Sequence, residues 1–140
     1  MVDQRFSVSV HILTALAFTD CRKGDRMTSE QLAGSIRTNS TVVRRLVSRL
    51  VDAGILHAFK GKAGGVELAR PPGEINLKEI YLASSGKALL QVSIKAPKKL
   101  CAVSCSMGKI MAGVIDGLES HSMKYLEGIS VADLAKQVAK

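Results

Sequence analysis

"TNSTVVRRLVSRLVDAGILHAFKGKAGG", residues 38–65, sets valines and leucines at helical spacing around three arginines and follows them with a glycine-bracketed basic loop. At about 100° per residue, Val43, Leu46, Val47 and Leu50 gather on one side of a helix, while Thr41, Arg44, Arg45, Ser48 and Asp52 gather on the other. The first side faces a core and the second faces something polar. Asn39 or Ser40 supplies the N-cap, and Gly54 closes the helix.

Just upstream, Thr28 and Gln31 form a Thr-x-x-Gln capping box that starts a helix burying Leu32, Ala33 and Ile36. "RTNS" leaves room only for a tight turn between the two helices. Downstream, "ILHAF" and "VELA" are short extended runs separated by "KGKAGG", whose glycines permit the positive φ angles of a hairpin tip. Helix, tight turn, helix and basic-tipped hairpin is the order of a winged helix-turn-helix. In that arrangement the second helix presents its N-terminal residues to base edges in the major groove, and basic side chains and backbone N–H groups hold phosphates. The predicted contacts are therefore Asn39, Ser40, Thr41, Arg44 and Arg45 on the helix, with Lys60, Lys62, Gly64 and Gly65 on the wing.

Composition points the same way. The chain has 140 residues, 46% of them hydrophobic, enough for one domain with a real core. Aromatics make up only 4% and Trp is absent, so the core is built from aliphatic side chains and Met, and the expected fold is mainly α with one small β-hairpin. The formal charge of +8 suits an anionic partner. Residues 35–72 hold seven basic and two acidic residues, a local excess of 7 − 2 = +5, whereas residues 110–140 hold three and four. The positive charge is thus concentrated on the stretch that carries the arginines.

The remaining chain divides around this head. Phe6, Val10, Leu13, Leu16 and Ala17 mark a first amphipathic helix from Arg5 to about Thr19, and Asn76 with Glu79 caps a short helix holding Leu77, Ile80 and Tyr81. Residues 84–105 read as an irregular connecting segment. From Ser106, Met107, Met111, Val114, Leu118 and Tyr125 keep an approximate heptad step in a long helix, and Ser130 with Asp133 starts a final short one. About twenty helical residues span about 30 Å, longer than a small head can cover, so the stripe is expected to meet a second subunit. The resulting layout is a winged head over 1–83, a connecting segment over 84–105, and a dimerisation helix with a C-terminal helix over 106–140. No charged segment followed by an apolar stretch opens the sequence, and no apolar run approaches the ~20 residues of a membrane span. The expectation is a cytoplasmic homodimer with no membrane partner.

"SEQLAGSIRTNSTVVRRLVSRLVDAGIL", "KGKAGGVELARPP", "INLKEIYLA" and "QRFSVSVHIL" together resemble the Rrf-two (Rrf2) family of bacterial transcription regulators, which includes iron-sulfur, nitric-oxide and cysteine-metabolism sensors. The likeness covers residues 4–83 closely and the long helix in outline. It implies a homodimer with one winged head per subunit, joined through the long helices and bound to a double-stranded DNA operator.

The cysteines depart from the family pattern. Cluster-holding members carry three cysteines before or at the start of the long helix, whereas this sequence has two there, Cys101 and Cys105 in "CAVSC", with Cys21 far away. An iron-sulfur cluster is therefore disfavoured and no cofactor is expected. Lys98, Lys99 and Lys109 surround the pair, and nearby cations favour a reactive thiolate, so Cys101 and Cys105 are candidate redox sensors. The bland alternative is two small core side chains. Neither paired carboxylates in a cleft, a Ser-His-Asp pattern, GxxxxGK[ST] nor GxGxxG appears, which argues against catalysis. The sequence thus predicts a dimeric DNA-binding repressor with thiol sensing. The alternatives are a cluster-sensing regulator and a winged-helix assembly module whose basic face meets an acidic protein.

Overall fold

The structure is a computed structural model and describes residues 4–19, 26–85 and 96–138. Its elements are α1 (Arg5–Phe18), α2 (Ser29–Ile36), α3 (Ser40–Asp52), β1 (Leu56–Phe59), β2 (Gly65–Leu68), a 3-10 turn (Pro72–Glu74), α4 (Leu77–Ser84), α5 (Ala102–Glu127) and α6 (Val131–Lys136). The chain forms two compact units, one comprising Met1–Gly86 with Leu126–Lys140 and the other Lys87–Tyr125.

Local chemistry sets the ends of the head helices. Thr28 accepts the Gln31 amide at 3.1 Å while the Gln31 side chain accepts the Thr28 amide at 2.9 Å, the reciprocal capping box predicted for α2. Asn39 accepts the Val42 N–H at 3.0 Å and is the N-cap of α3. At the other end Gly54 takes φ 77°, its N–H reaches the Val51 carbonyl at 3.0 Å, and the Ile55 N–H reaches the Leu50 carbonyl at 2.9 Å. These two bonds close the helix in a Schellman motif, with Ile55 buried beneath it. Between α2 and α3, Arg37 takes φ 68°, a left-handed conformation uncommon for a residue with a Cβ.

The core is aliphatic. Ile12, Leu13 and Leu16 of α1, Leu32 of α2, and Val43, Leu46, Val47 and Leu50 of α3 are buried together with Ile80 of α4, and Phe6 meets Tyr81 edge to face at 5.6 Å. The hairpin pairs Leu56 with Leu68 and Phe59 with Gly65, turning Val66 and Leu68 inward. A further piece of sheet lies outside the predicted elements. Met27 bridges to Val66 through both of its backbone groups, at 3.3 and 2.8 Å, just before α2 begins.

The C-terminal boundary differs from the sequence reading. Residues 106–140 do not stay together, because Leu126–Lys140 cluster with the head. Backbone bonds from Leu77 to Ile129 at 2.9 Å and from Val131 to Ile75 at 2.8 Å tie this return to the start of α4, and Leu126 and Val131 are buried. Both bonds join positions some fifty residues apart, so no local pattern announces them. The long helix also starts earlier than expected, at Ala102 instead of Ser106, which puts Cys105 in its first turn and not in a preceding loop.

Candidate nucleic-acid interface

Burial of one side of α3 leaves Thr41, Arg44, Arg45 and Ser48 exposed on the other, beside a wing tip whose Lys60 and Lys62 are also exposed. A groove lined by Glu30, Arg44, Ser48, Phe59, Lys60 and Gly64 runs between the first turn of α2, the side of α3 and the wing. Four of the nine predicted contact residues, Arg44, Lys60, Gly64 and Gly65, line this groove.

Their surroundings differ. Asn39 is exposed, but its side-chain oxygen is occupied by the Val42 N–H, so its immediate work is to start α3. Ser40 is half-buried as the first helical residue. Arg44 donates to Glu30 at 2.8 Å in an open ion pair, 58% and 66% exposed, which contributes little to stability and aims the guanidinium across the groove. The Glu30 carboxyl is held below the usual carboxylate range, first by its own backbone N–H at the start of α2 and then by Arg44. Among the described residues Arg45 forms no ion pair, leaving its five donors open to a ligand. Arg49 turns away from this surface and donates to the Ser84 carbonyl at 2.7 Å, at the C-terminus of α4 where a cation is favoured.

The wing glycines serve the fold first. Gly61 takes φ 93° with open space around it, so it shapes the turn. A Cβ on Gly64 would lie 2.7 Å from the carbonyl oxygens of both Gly61 and Phe59, and one on Gly65, at φ 129°, would lie 2.8 Å from that of Met27. Only hydrogen fits at these two positions, because the tip folds over Gly64 and the Met27 bridge presses on Gly65. Sequence reasoning missed Glu30 and Met27, since their partners are distant along the chain.

Cys101 and Cys105 have free thiols at the start of α5. The Ser104 N–H donates to Cys101 Sγ at 3.4 Å, Cys105 Sγ donates to the Lys98 carbonyl at 3.5 Å, and the Lys98 N–H donates to Ser104 Oγ at 2.7 Å. Both thiols thus belong to the cap of this helix, and Cys105 is exposed. Cys21 lies outside the described residues. Among the described residues no three His, Cys, Asp or Glu side chains come together as a metal site. Iron-sulfur clusters take about four protein ligands, and the described residues supply two thiols here, Cys101 and Cys105.

A family model described as "Iron-dependent Transcriptional regulator" matches residues 2–137. The chain belongs to the Rrf2 family. Like other Rrf2 proteins it is a DNA-binding transcriptional regulator, a non-enzymatic class. YwnA of Bacillus subtilis, named as an HTH-type transcriptional regulator, is 32% identical over 134 residues, 96% of either chain. A solved regulator structure from Lactobacillus plantarum matches with a TM-score of 0.77 at 24% identity over 95% of this chain and 88% of that one. CymR, the global cysteine regulator of B. subtilis, matches at 0.69 and 17% identity over 99% and 98%. At those identities the two structures speak for the fold alone, the winged Rrf2 fold. Among the described residues no helix is long and apolar enough to cross a membrane.

Proposed function

We propose that this Rrf2 protein is a homodimeric repressor that reads a pseudo-palindromic operator with α3 and the wing, and that oxidation of Cys101 and Cys105 changes its affinity. One observation carries the DNA-reading part: a capped α3 exposes Thr41 and Arg45 beside a wing carrying Lys60 and Lys62. Thr41 and Arg45 suit base edges, Arg45 being able to pair with a guanine in bidentate fashion, and the lysines suit phosphates. A bound head would repress by occluding promoter DNA.

The second subunit is assigned to α5. Val103, Ile110, Val114, Leu118 and Tyr125 remain 68, 51, 49, 47 and 71% exposed. At 100° per residue they fall within about an 80° arc, a narrow seam of the kind two helices bury together. Two linked heads require half-sites about one helical turn, or a multiple of it, apart.

The thiols supply the signal. Residues four apart on a helix have Cβ atoms about 5–6 Å apart, whereas a disulfide needs about 3.5–4.5 Å. A Cys101–Cys105 bond therefore requires the first turn of α5 to unwind, together with the cap bonds to Lys98 and Ser104. The oxidant is a hydroperoxide: with hydrogen peroxide, two thiols give up two protons and two electrons, one S–S bond forms, the O–O bond breaks, and two waters leave.

Footprinting and mobility shifts on reduced and peroxide-treated protein test this reading. The expected result is a two-fold-symmetric footprint whose affinity falls steeply with salt and changes on oxidation in wild type but not in Cys101→Ser. Binding without sequence preference would instead support an assembly module. Equal affinity before and after oxidation would remove the thiols from regulation, and visible absorbance after anaerobic iron and sulfide reconstitution would favour a cluster over thiol chemistry.

A further inference from the structure

Arg26, two residues before the cap of α2, touches every part of the wing. Its guanidinium carbon lies 3.5 Å from the centroid of the Phe59 ring. Its Nη1 donates to the Ala63 carbonyl at 2.8 Å. Its Nε, shielded from solvent, faces the Glu67 carboxylate at 3.6 Å, beyond hydrogen-bond length but within Coulomb reach. Phe59 ends β1, Ala63 sits in the tip and Glu67 lies in β2, so one side chain joins both strands and the turn between them. The adjacent Met27 is itself fixed to β2 by the double bridge to Val66, which anchors the backbone from which Arg26 reaches out.

An exposed ion pair would contribute little. This one is largely covered, its side chains 25% and 17% exposed, and the planar guanidinium adds a stacking contact and a hydrogen bond made by a full charge. The tip it holds needs holding. Residues 60–64 include two glycines, which leave the backbone more freedom than any other residue would, yet Lys60 and Lys62 reach a pair of phosphates only if their spacing is fixed.

We propose that Arg26 is the positioning residue of the wing, clamping the tip so that Lys60 and Lys62 meet the DNA backbone already in register. The proposal rests on the wing being the phosphate-binding element described above. It separates Arg26 from the lysines in role: Arg26 binds the wing, and the wing binds DNA.

The test uses the full chain and an operator duplex, with Arg26→Ala compared in the wild-type and the Lys60→Ala/Lys62→Ala backgrounds. In the wild-type background Arg26→Ala should weaken binding roughly tenfold and make the salt slope shallower by about one to two units, as expected when phosphate contacts are lost. In the lysine-free background it should change neither. Arg26→Lys should fail to rescue, since an ammonium cannot stack and fork as a guanidinium does, and Phe59→Leu, which keeps apolar bulk, should reproduce the defect if Arg26→Ala folds poorly. Amide exchange at Gly64, whose N–H is bonded to the Gly61 carbonyl at 2.9 Å, should accelerate in Arg26→Ala without DNA. An equal loss in both backgrounds would make Arg26 a DNA contact itself, and full rescue by lysine would reduce it to a charge; either overturns the clamp. If wild type shows no operator preference, the DNA reading fails, and the Gly64 exchange still decides whether Arg26 clamps the wing.

Discussion

Truncating Leu118 to Ala probes the proposed dimer within its seam. In the single chain this side chain is 47% exposed. Complete burial of a leucine contributes about 1.5–3 kcal/mol, so covering the open half contributes about 1 kcal/mol, and a two-fold dimer covers it twice. Leu118→Ala should therefore cost the dimer about 2 kcal/mol, roughly thirty-fold in dissociation constant at 1.4 kcal/mol per decade. Alanine has the highest helix propensity, so α5 itself should persist, and circular dichroism would verify that. Sedimentation equilibrium across a concentration series gives the two constants. Asp116→Ala, exposed on the opposite side of the same helix, serves as the control and should leave the dimer unchanged. A wild type that is monomeric at micromolar concentration, or a Leu118→Ala variant that dimerises as tightly as wild type, would refute the assignment of α5.

The other expectations concern the head. Arg45→Ala should weaken operator binding by about 1–3 kcal/mol if its guanidinium pairs with guanine, with relaxed preference at one base pair, whereas Lys62→Ala should weaken all sequences alike and reduce the salt slope by about one unit; titrations against operator and scrambled duplex separate the two. Gly61→Ala should cost only the positive-φ strain, about 1–2 kcal/mol. Gly65→Ala should cost more in thermal unfolding, because it adds a collision with the Met27 carbonyl at 2.8 Å. Glu30 and Asp133 carry lowered carboxyl pKa values, Glu30 through its own backbone N–H and Arg44, and Asp133 through the Ser130 backbone and hydroxyl at the cap of α6. Each contributes its stability fully above the ordinary carboxylate value and loses it as pH falls through its lowered folded value. The starts of α2 and α6 should thus loosen only under acid, seen as chemical-shift titration of their first-turn amides, and Asp133→Asn should abolish that titration in α6.

What the sequence determined by itself was the head's helix caps and the buried sides of its helices, each set within a turn or so of the chain. The caps at Thr28, Asn39, Asn76 and Ser130 each accept the N–H three residues on, and such a bond depends only on residue type and spacing. The buried side of α3 was legible because Val43, Leu46, Val47 and Leu50 repeat with the helical period, and the same repeat left Arg45 facing outward. The tertiary structure decided what crosses the chain. Arg49, next in the arginine series, binds the carbonyl of Ser84 instead of joining Arg45, and Arg44 meets a carboxylate fourteen residues back. Gly64 and Gly65 proved to be places where backbone passes backbone, a crowding that a turn-forming glycine in the sequence does not disclose. Met27 joined the hairpin as a third edge, and residues 126–138 returned to the head through two bonds near Asn76. These contacts form only after loop closure brings distant segments together, and the free energy that selects them belongs to the assembled core, which no single stretch of the chain contains.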